Sequence, residues 1–274
     1  MFTFEKEDMS GTNPKFDVRD ENGTRWRVKL GVEARPETVA SRLVWAVGYN
    51  TDEDYFLPDL RVESMPHLRR GQNLVAPDGS MHNVRLKRHL KDEKKIGGWK
   101  WGDNPFGQQR ELNGLRVMMA LINNWDLKDV NNAVYEEKEN DTARPELRYE
   151  VSDLGASFGT TGRGLTHKQS KGNLNSYQRS KFIRKVRSEY VDFNVPSSPA
   201  LIYLFTPKEY VDRMDLRWIG KHIPRSDAKW IGGLLAQLSP TQIRDAFRAA
   251  GYSPDQVDGF SRVVEQRIAE LNRL

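Results

Sequence analysis

Asp126-Leu-Lys-Asp-Val-Asn131 and, further on, Asp153-Leu-Gly-Ala-Ser-Phe-Gly159 are the two stretches on which the fold assignment turns. Their settings matter as much as their letters. Upstream of the first, Leu112, Leu115, Met118, Met119 and Ile122 recur at helical spacing and predict an amphipathic helix from about Glu111. Between the two, 132–136 and 147–151 read as short strands joined by a polar turn. A carboxylate therefore lies at a helix-to-strand junction, and a second lies where the following strand pair ends.

Working toward the N-terminus, 15–20 and 24–30 read as strands around Glu21-Asn22-Gly23, and Asn-Gly favours a tight hairpin. In the second run Trp26, Val28 and Leu30 share one face, and Arg25, Arg27 and Lys29 the other. Pro36 suits the first turn of a helix carrying Val39, Leu43 and Val47. Strands are expected at 54–63 and 83–87. Toward the C-terminus, Thr206-Pro-Lys-Glu209, Ser239-Pro-Thr-Gln242 and Ser253-Pro-Asp-Gln256 form three capping boxes, each with Pro at the first helical position. The pattern predicts an α+β protein: a β-rich part at 1–90 with one helix, an insertion or hinge rich in Lys, Gly and Trp at 91–109, and a mostly helical part at 110–274.

Composition narrows the chemistry. The chain has 274 residues and no Cys, so disulfides, thiolate metal sites and Cys nucleophiles are excluded together. Five scattered His lack metal-ligand spacing. No apolar run is long enough to cross a bilayer. Residues 1–10 are acidic and lack the apolar core of a signal peptide, so a soluble, cytoplasmic protein is the default expectation, with export of a processed form left open. The 43 basic and 38 acidic residues leave a modest net charge of +5, which permits an anionic partner without requiring one.

Phosphoryl transfer asks for positioned charge rather than covalent chemistry. A carboxylate orients the acceptor hydroxyl, hard oxygen ligands hold Mg²⁺, and a Lys steadied by an acidic residue meets the phosphates. Asp126, Asn131 with Asp153, Lys29 and Glu37 supply these groups in chain order. Glu33 rivals Glu37 as the partner of Lys29, with Glu37 preferred because it lies inside the helix start. Asn132 rivals Asn131, and strand geometry turns one of the two away.

Asp-Leu-Lys-x-x-Asn resembles the catalytic loop of protein kinases, and Asp153-Leu-Gly155 resembles their metal-binding Asp-Phe-Gly. Asn124 and Trp125 stand where those kinases have His-Arg. The atypical kinases are closer. HipA-type and phosphoinositide kinases carry Asp-x-His-x-x-Asn, with Lys128 in the His position. Ser10-Gly-Thr-Asn-Pro-Lys-Phe16 resembles the phosphate-covering loop of HipA-type kinases, and 153–159 is similar to the metal-binding segment of secretory-pathway (Fam20-type) kinases. The resemblance covers roughly residues 10–160 and implies a two-lobed kinase-like fold that uses ATP and Mg²⁺. It further implies that Asp126 is the catalytic base, that Lys128 touches the γ-phosphate, and that Asn131 and Asp153 hold the metal. Lys29 would bind the α- and β-phosphates and pair with Glu37, while Ser10, Gly11, Thr12 and Asn13 cover the phosphates.

The acceptor stays open between a protein Ser/Thr hydroxyl, favoured by the HipA and Fam20 resemblances, and a lipid headgroup or small alcohol. A pseudokinase or an adenylyl-transferring enzyme on the same fold are alternatives, and a nucleic-acid-binding protein is a distant third. Gly159 to Ser188 contains no acidic residue. This basic segment reads equally as a dock for an acidic or phosphorylated acceptor and as a solvated loop.

Overall fold

The computed structural model describes residues 1–11, 13–90, 93–137, 146–160, 170–195 and 215–274. Thr12 and the capping box at Thr206 lie outside them.

Strands β1 (Phe2–Asp8), β2 (Lys15–Asp20), β3 (Arg25–Lys29), β4 (Asp54–Glu63) and β5 (Ser80–Arg88) close into a barrel in the order β1-β2-β3-β5-β4. The Asn22-Gly23 turn sets the register of β2 on β3, with Lys15 opposite Lys29 and Val18 opposite Trp26. Gly23 has φ +77°, a conformation that costs a side-chain-bearing residue dearly. Closure depends on β1, which pairs antiparallel with β2 and parallel with β4 at Phe2 and Thr3. Phe16, Val18, Val28, Leu60, Met81 and Val84 fill the barrel interior.

Helix α1 (Ala34–Ala46) follows β3 and packs on β4 and β5. Val39, Leu43 and Val44 nevertheless belong to a second, larger core formed mainly by the later helices, so α1 is wedged between the two. Helix α2 (Arg110–Leu121) runs through that second core, where Val117 through Leu121 are fully buried. Strands β6 (Glu93–Gly97), β7 (Asn132–Glu137) and β8 (Glu146–Val151) form an antiparallel sheet in the order β6-β7-β8. Residues 91–109 thus supply an edge strand, and they also supply the buried Trp99 and Trp101.

The remaining elements are α3 (Leu174–Arg179), β9 (Ile183–Val186), β10 (Tyr190–Phe193), β11 (Ile223–Pro224), α4 (Arg225–Leu235), α5 (Pro240–Arg248) and α6 (Pro254–Asn272). Ser239 and Ser253 form complete capping boxes with Gln242 and Gln256, each worth about 1 kcal/mol. Phe247 and Phe260 stack at 5.2 Å between ring centres, and Phe158 and Tyr177 meet Phe260 edge-on or tilted. Among the described residues no helix is long and apolar enough to cross a membrane.

A candidate nucleotide site around Lys29

Strand β3 ends at Lys29, and α1 begins five residues later, so the chain must reverse within 30–33. Gly31 makes the turn at φ +101°. The reversal brings both acidic candidates onto one ammonium. Lys29 Nζ lies 2.5 Å from Glu33 Oε2, 3.0 Å from Glu37 Oε2 and 2.6 Å from Asp153 Oδ1. The sequence preference for Glu37 alone is therefore too narrow. Glu33 stands at the N-cap of α1, within reach of strand and helix alike.

Glu33 has further partners. Asn13 Nδ2 donates to its Oε2 at 2.6 Å, and Lys171 forms an ion pair with its Oε1. Burial raises the Glu33 carboxyl, but Lys29 and Lys171 outweigh it and hold the group down at about 2. Burial likewise disfavours the Lys29 charge, and Glu37, Asp153 and Glu33 more than reverse that, keeping the ammonium above its usual range. Burial drives the fully buried Glu37 up to about 7, against the pull of Arg85 and Lys29.

Gly155 makes this packing possible. A Cβ there would sit 2.7 Å from Glu33 Cβ and 2.9 Å from its Oε2. Gly155→Ala is expected to push Glu33 off Lys29 and cost about 1–3 kcal/mol of stability. Thermal unfolding of the variant would measure the loss.

Asp126 sits in a loop shaped by its backbone. Its N–H donates to Asn124 Oδ1 at 2.8 Å, and its C=O accepts from Asn131 Nδ2 at 2.8 Å. The Asn131 amide nitrogen is thereby committed, which leaves the carbonyl oxygen as the end able to meet a cation. Lys128 Nζ lies 3.4 Å from Asp126 Oδ1. Asn132 is buried and donates to the Trp99 carbonyl, so strand geometry turns it away and keeps Asn131 as the candidate.

The two metal candidates come from the ends of paired strands. Asn132 stands opposite Val151 in the β7–β8 ladder, and the Ser152 N–H donates to the Asn131 carbonyl at 3.1 Å. Asp153 follows at once, at φ +55°. That conformation is costly for a residue with a side chain, and here it aims a 48% exposed carboxylate at the buried Lys29. Phe158, also at positive φ, anchors the segment. Its N–H donates to Ile122 at the end of α2, and its ring is buried in the aromatic cluster. The oxygens of Glu33, Glu37 and Asp153 lie within 4.8 Å of one another.

Of the loop candidates, Gly11 takes φ +64°. Arg70 straps the loop by donating to the carbonyls of Asp8, Ser10 and Gly11 at 2.6 to 3.1 Å. The Ser10 N–H is taken by Asp8 Oδ1, which removes it as a free backbone donor. Sequence reading missed Arg70, Lys171 and Glu33's central place. The i, i+4 spacing of Lys29 and Glu33 was the one available signal.

Behind Lys29 the charges continue inward. Arg85 pairs with Glu37 and Asp54, Lys87 pairs with Asp52 and Glu150, and Arg148 pairs with Glu150. Burial, helped by the Asp52 carboxyl beside it, pushes Glu150 from 4.5 up to about 8. A carboxyl raised in this way holds a proton in the folded state that the unfolded chain has already lost. Its stabilisation is complete below pH 4.5 and is lost as pH rises through 8. Glu150→Gln is expected to raise stability at pH 8, by an amount on the order of a few kcal/mol, and to change little at pH 4. Melting curves across that range would test it.

No family model matches the sequence, and no curated protein does. Among solved structures, the fold matches the Helicobacter pylori proinflammatory kinase CtkA with a TM-score of 0.52 at 10% identity, covering 99% of this chain and 96% of that one. This chain therefore shares the fold of that kinase. More distant matches are the Rio2 kinase from Chaetomium thermophilum, in a complex with ADP/Mg²⁺ and phosphoaspartate (TM-score 0.40, 8% identity, 97% and 72% covered), and the Shewanella oneidensis MR-1 toxin–antitoxin complex of HipA, HipB and operator DNA (0.41, 11%, 98% and 65%).

Proposed function

We propose that this chain is an ATP- and Mg²⁺-dependent phosphotransferase whose acceptor is a Ser or Thr hydroxyl of a protein. The reading rests on one observation: Lys29, Glu33, Glu37 and Asp153, up to 124 residues apart, converge on a single point. On this reading the barrel with α1, residues 1–90, is an N-terminal lobe. Residues 91–109 form the hinge, 110–274 form the C-terminal lobe, and the nucleotide lies between the lobes.

The residues present fit both groups. Lys29 is buried among three carboxylates, which keeps it charged and aimed where the α- and β-phosphates would lie. Asp153 and Asn131 offer hard oxygens, the donor set Mg²⁺ prefers. When bound, the metal supplies positive charge against the phosphates. Gly11 and Asn13 would cover the phosphates, with Ser10 contributing its hydroxyl. Thr12 is assigned with them from the sequence alone. Asp126 would accept the hydrogen bond of the acceptor hydroxyl and take its proton, and Lys128 would steady charge on the transferred group.

ATP labelled at the γ-phosphate, offered with Mg²⁺ and a mixture of unfolded proteins, should leave label on Ser or Thr. Label arriving from α-labelled ATP instead would show nucleotidyl transfer. Label from neither, over a broad acceptor set, would argue against an active enzyme.

A further inference from the structure

The sheet β11-β10-β9 leaves β9 at its edge among the described residues. Arg187 N–H donates to the Tyr190 carbonyl at the β9–β10 turn, and Val186 stands opposite Val191. Because N–H directions alternate along a strand, the N–H and C=O of Val186 point away from β10. The side chains on and just before this strand are basic, with Glu189 in the turn and Asp192 opposite Lys185 on β10 as the acids beside them. Lys181, Arg184, Lys185 and Arg187 are all exposed, and among the described residues none of the four takes part in an ion pair. Val186 is 47% exposed between them. Most other basic groups near a strand in this protein are neutralised: Arg25 and Arg27 by Asp17, and Lys87 by Asp52.

The segment leading into this edge is tied to the end of α2, the helix that precedes the proposed catalytic loop. Arg267 donates to the carbonyls of Ala120 and Leu121 at the end of α2 and to the carbonyl and hydroxyl of Ser180. The start of the basic strand and the helix that delivers Asp126 thus share one buried fastener.

An unpaired edge strand invites strand addition unless charge deters it. Here four cations outnumber the two neighbouring acids, so the edge deters cationic strands and favours an anionic one. Resting on the phosphotransferase reading, we infer that the β9 edge docks an extended segment of the protein acceptor rich in Asp and Glu. The segment adds as a fourth strand, its carboxylates meeting Lys181, Arg184, Lys185 and Arg187.

The test titrates the full chain with a fluorescent Ser-containing peptide rich in Asp and Glu, and with a counterpart in which Lys and Arg replace the acids. The acidic peptide is expected to bind, and more weakly as salt rises. Lys185→Glu with Arg187→Glu should weaken it by about tenfold or more. Val186→Pro, which removes an N–H that β10 does not use, should weaken it several-fold with no loss of charge. MgATP affinity, measured in parallel, should be the same in all three proteins. The proposal is overturned if the basic peptide binds as well, if the charge reversal changes nothing, or if Val186→Pro binds like wild type. It is also overturned if a single-stranded oligonucleotide binds this edge more tightly than the acidic peptide. Intact MgATP binding with no peptide binding would sink the docking inference alone, whereas loss of MgATP binding in wild type would sink the phosphotransferase reading.

Discussion

Asp126→Asn is expected to lower the rate of phosphoryl transfer by about three orders of magnitude while leaving MgATP affinity within about twofold. The separation follows from how the loop is built. Its shape rests on the backbone of residue 126, which accepts from Asn131 and donates to Asn124. The substitution leaves both bonds in place. What it removes is the negative charge facing Lys128 at 3.4 Å and the oxygen able to take a proton from the acceptor hydroxyl. Lys29, Glu33, Glu37 and Asp153 are untouched, so the nucleotide should still bind. A loss of affinity parallel to the loss of rate would mean that Asp126 holds the nucleotide and does not serve as the base.

Arg267→Met should cost about 3–5 kcal/mol, the scale of losing a buried, multiply bonded charge. At about 2–4 °C per kcal/mol for a chain of this size, the melting temperature should fall by roughly 10 °C. Arg267 is buried with no carboxylate in ion-pair contact among the described residues, and burial lowers its pKa against the pull of Tyr177 and Glu270. The α2 carbonyls of Ala120 and Leu121 accept from it at 3.1 and 2.7 Å, at the negative end of the helix dipole. Its guanidinium also lies over Tyr177 at 4.1 Å and Phe182 at 5.3 Å. Met restores volume but none of the donors, leaving buried carbonyls unpaired. Calorimetry of the variant would check the value. An unchanged melting temperature would mean that those carbonyls find other donors.

Much of the frame was legible in the sequence because local rules specify it. The Asn22-Gly23 hairpin, the Val39 and Leu43 stripe of α1, the apolar face of α2 and the Ser239 and Ser253 capping boxes each carry their own signal within a few residues. The spacing of Asp126, Asn131 and Asp153 was legible for a related reason. Two strands, β7 and β8, separate Asn131 from Asp153, and antiparallel pairing must return the chain to where it left.

Other features have no local signature. Closure of the barrel needs Phe2 and Thr3 of β1 to pair in parallel with Val62 and Glu63, a contact set by the whole barrel. Nothing local singles out Arg70 or Lys171, because the carbonyls and the Glu33 carboxylate they meet come from distant chain segments. The partner of Lys29 was half legible: helix position favoured Glu37, while the tight turn at Gly31, which places Glu33 as close, became visible only in three dimensions. Lys87 has no local signal either: it is half-buried and paired with Asp52 and Glu150, which come from distant parts of the chain.

Calorimetric titration of ATP with and without Mg²⁺, into wild type, Lys29→Met and Asp153→Asn, tests the shared site most directly. Wild type should bind ATP more tightly with the metal. Lys29→Met should bind at least about tenfold more weakly in either condition, and Asp153→Asn should lose most of the gain that Mg²⁺ brings. Wild type that binds no ATP, or variants that bind as wild type does, would contradict a nucleotide site between Lys29 and Asp153.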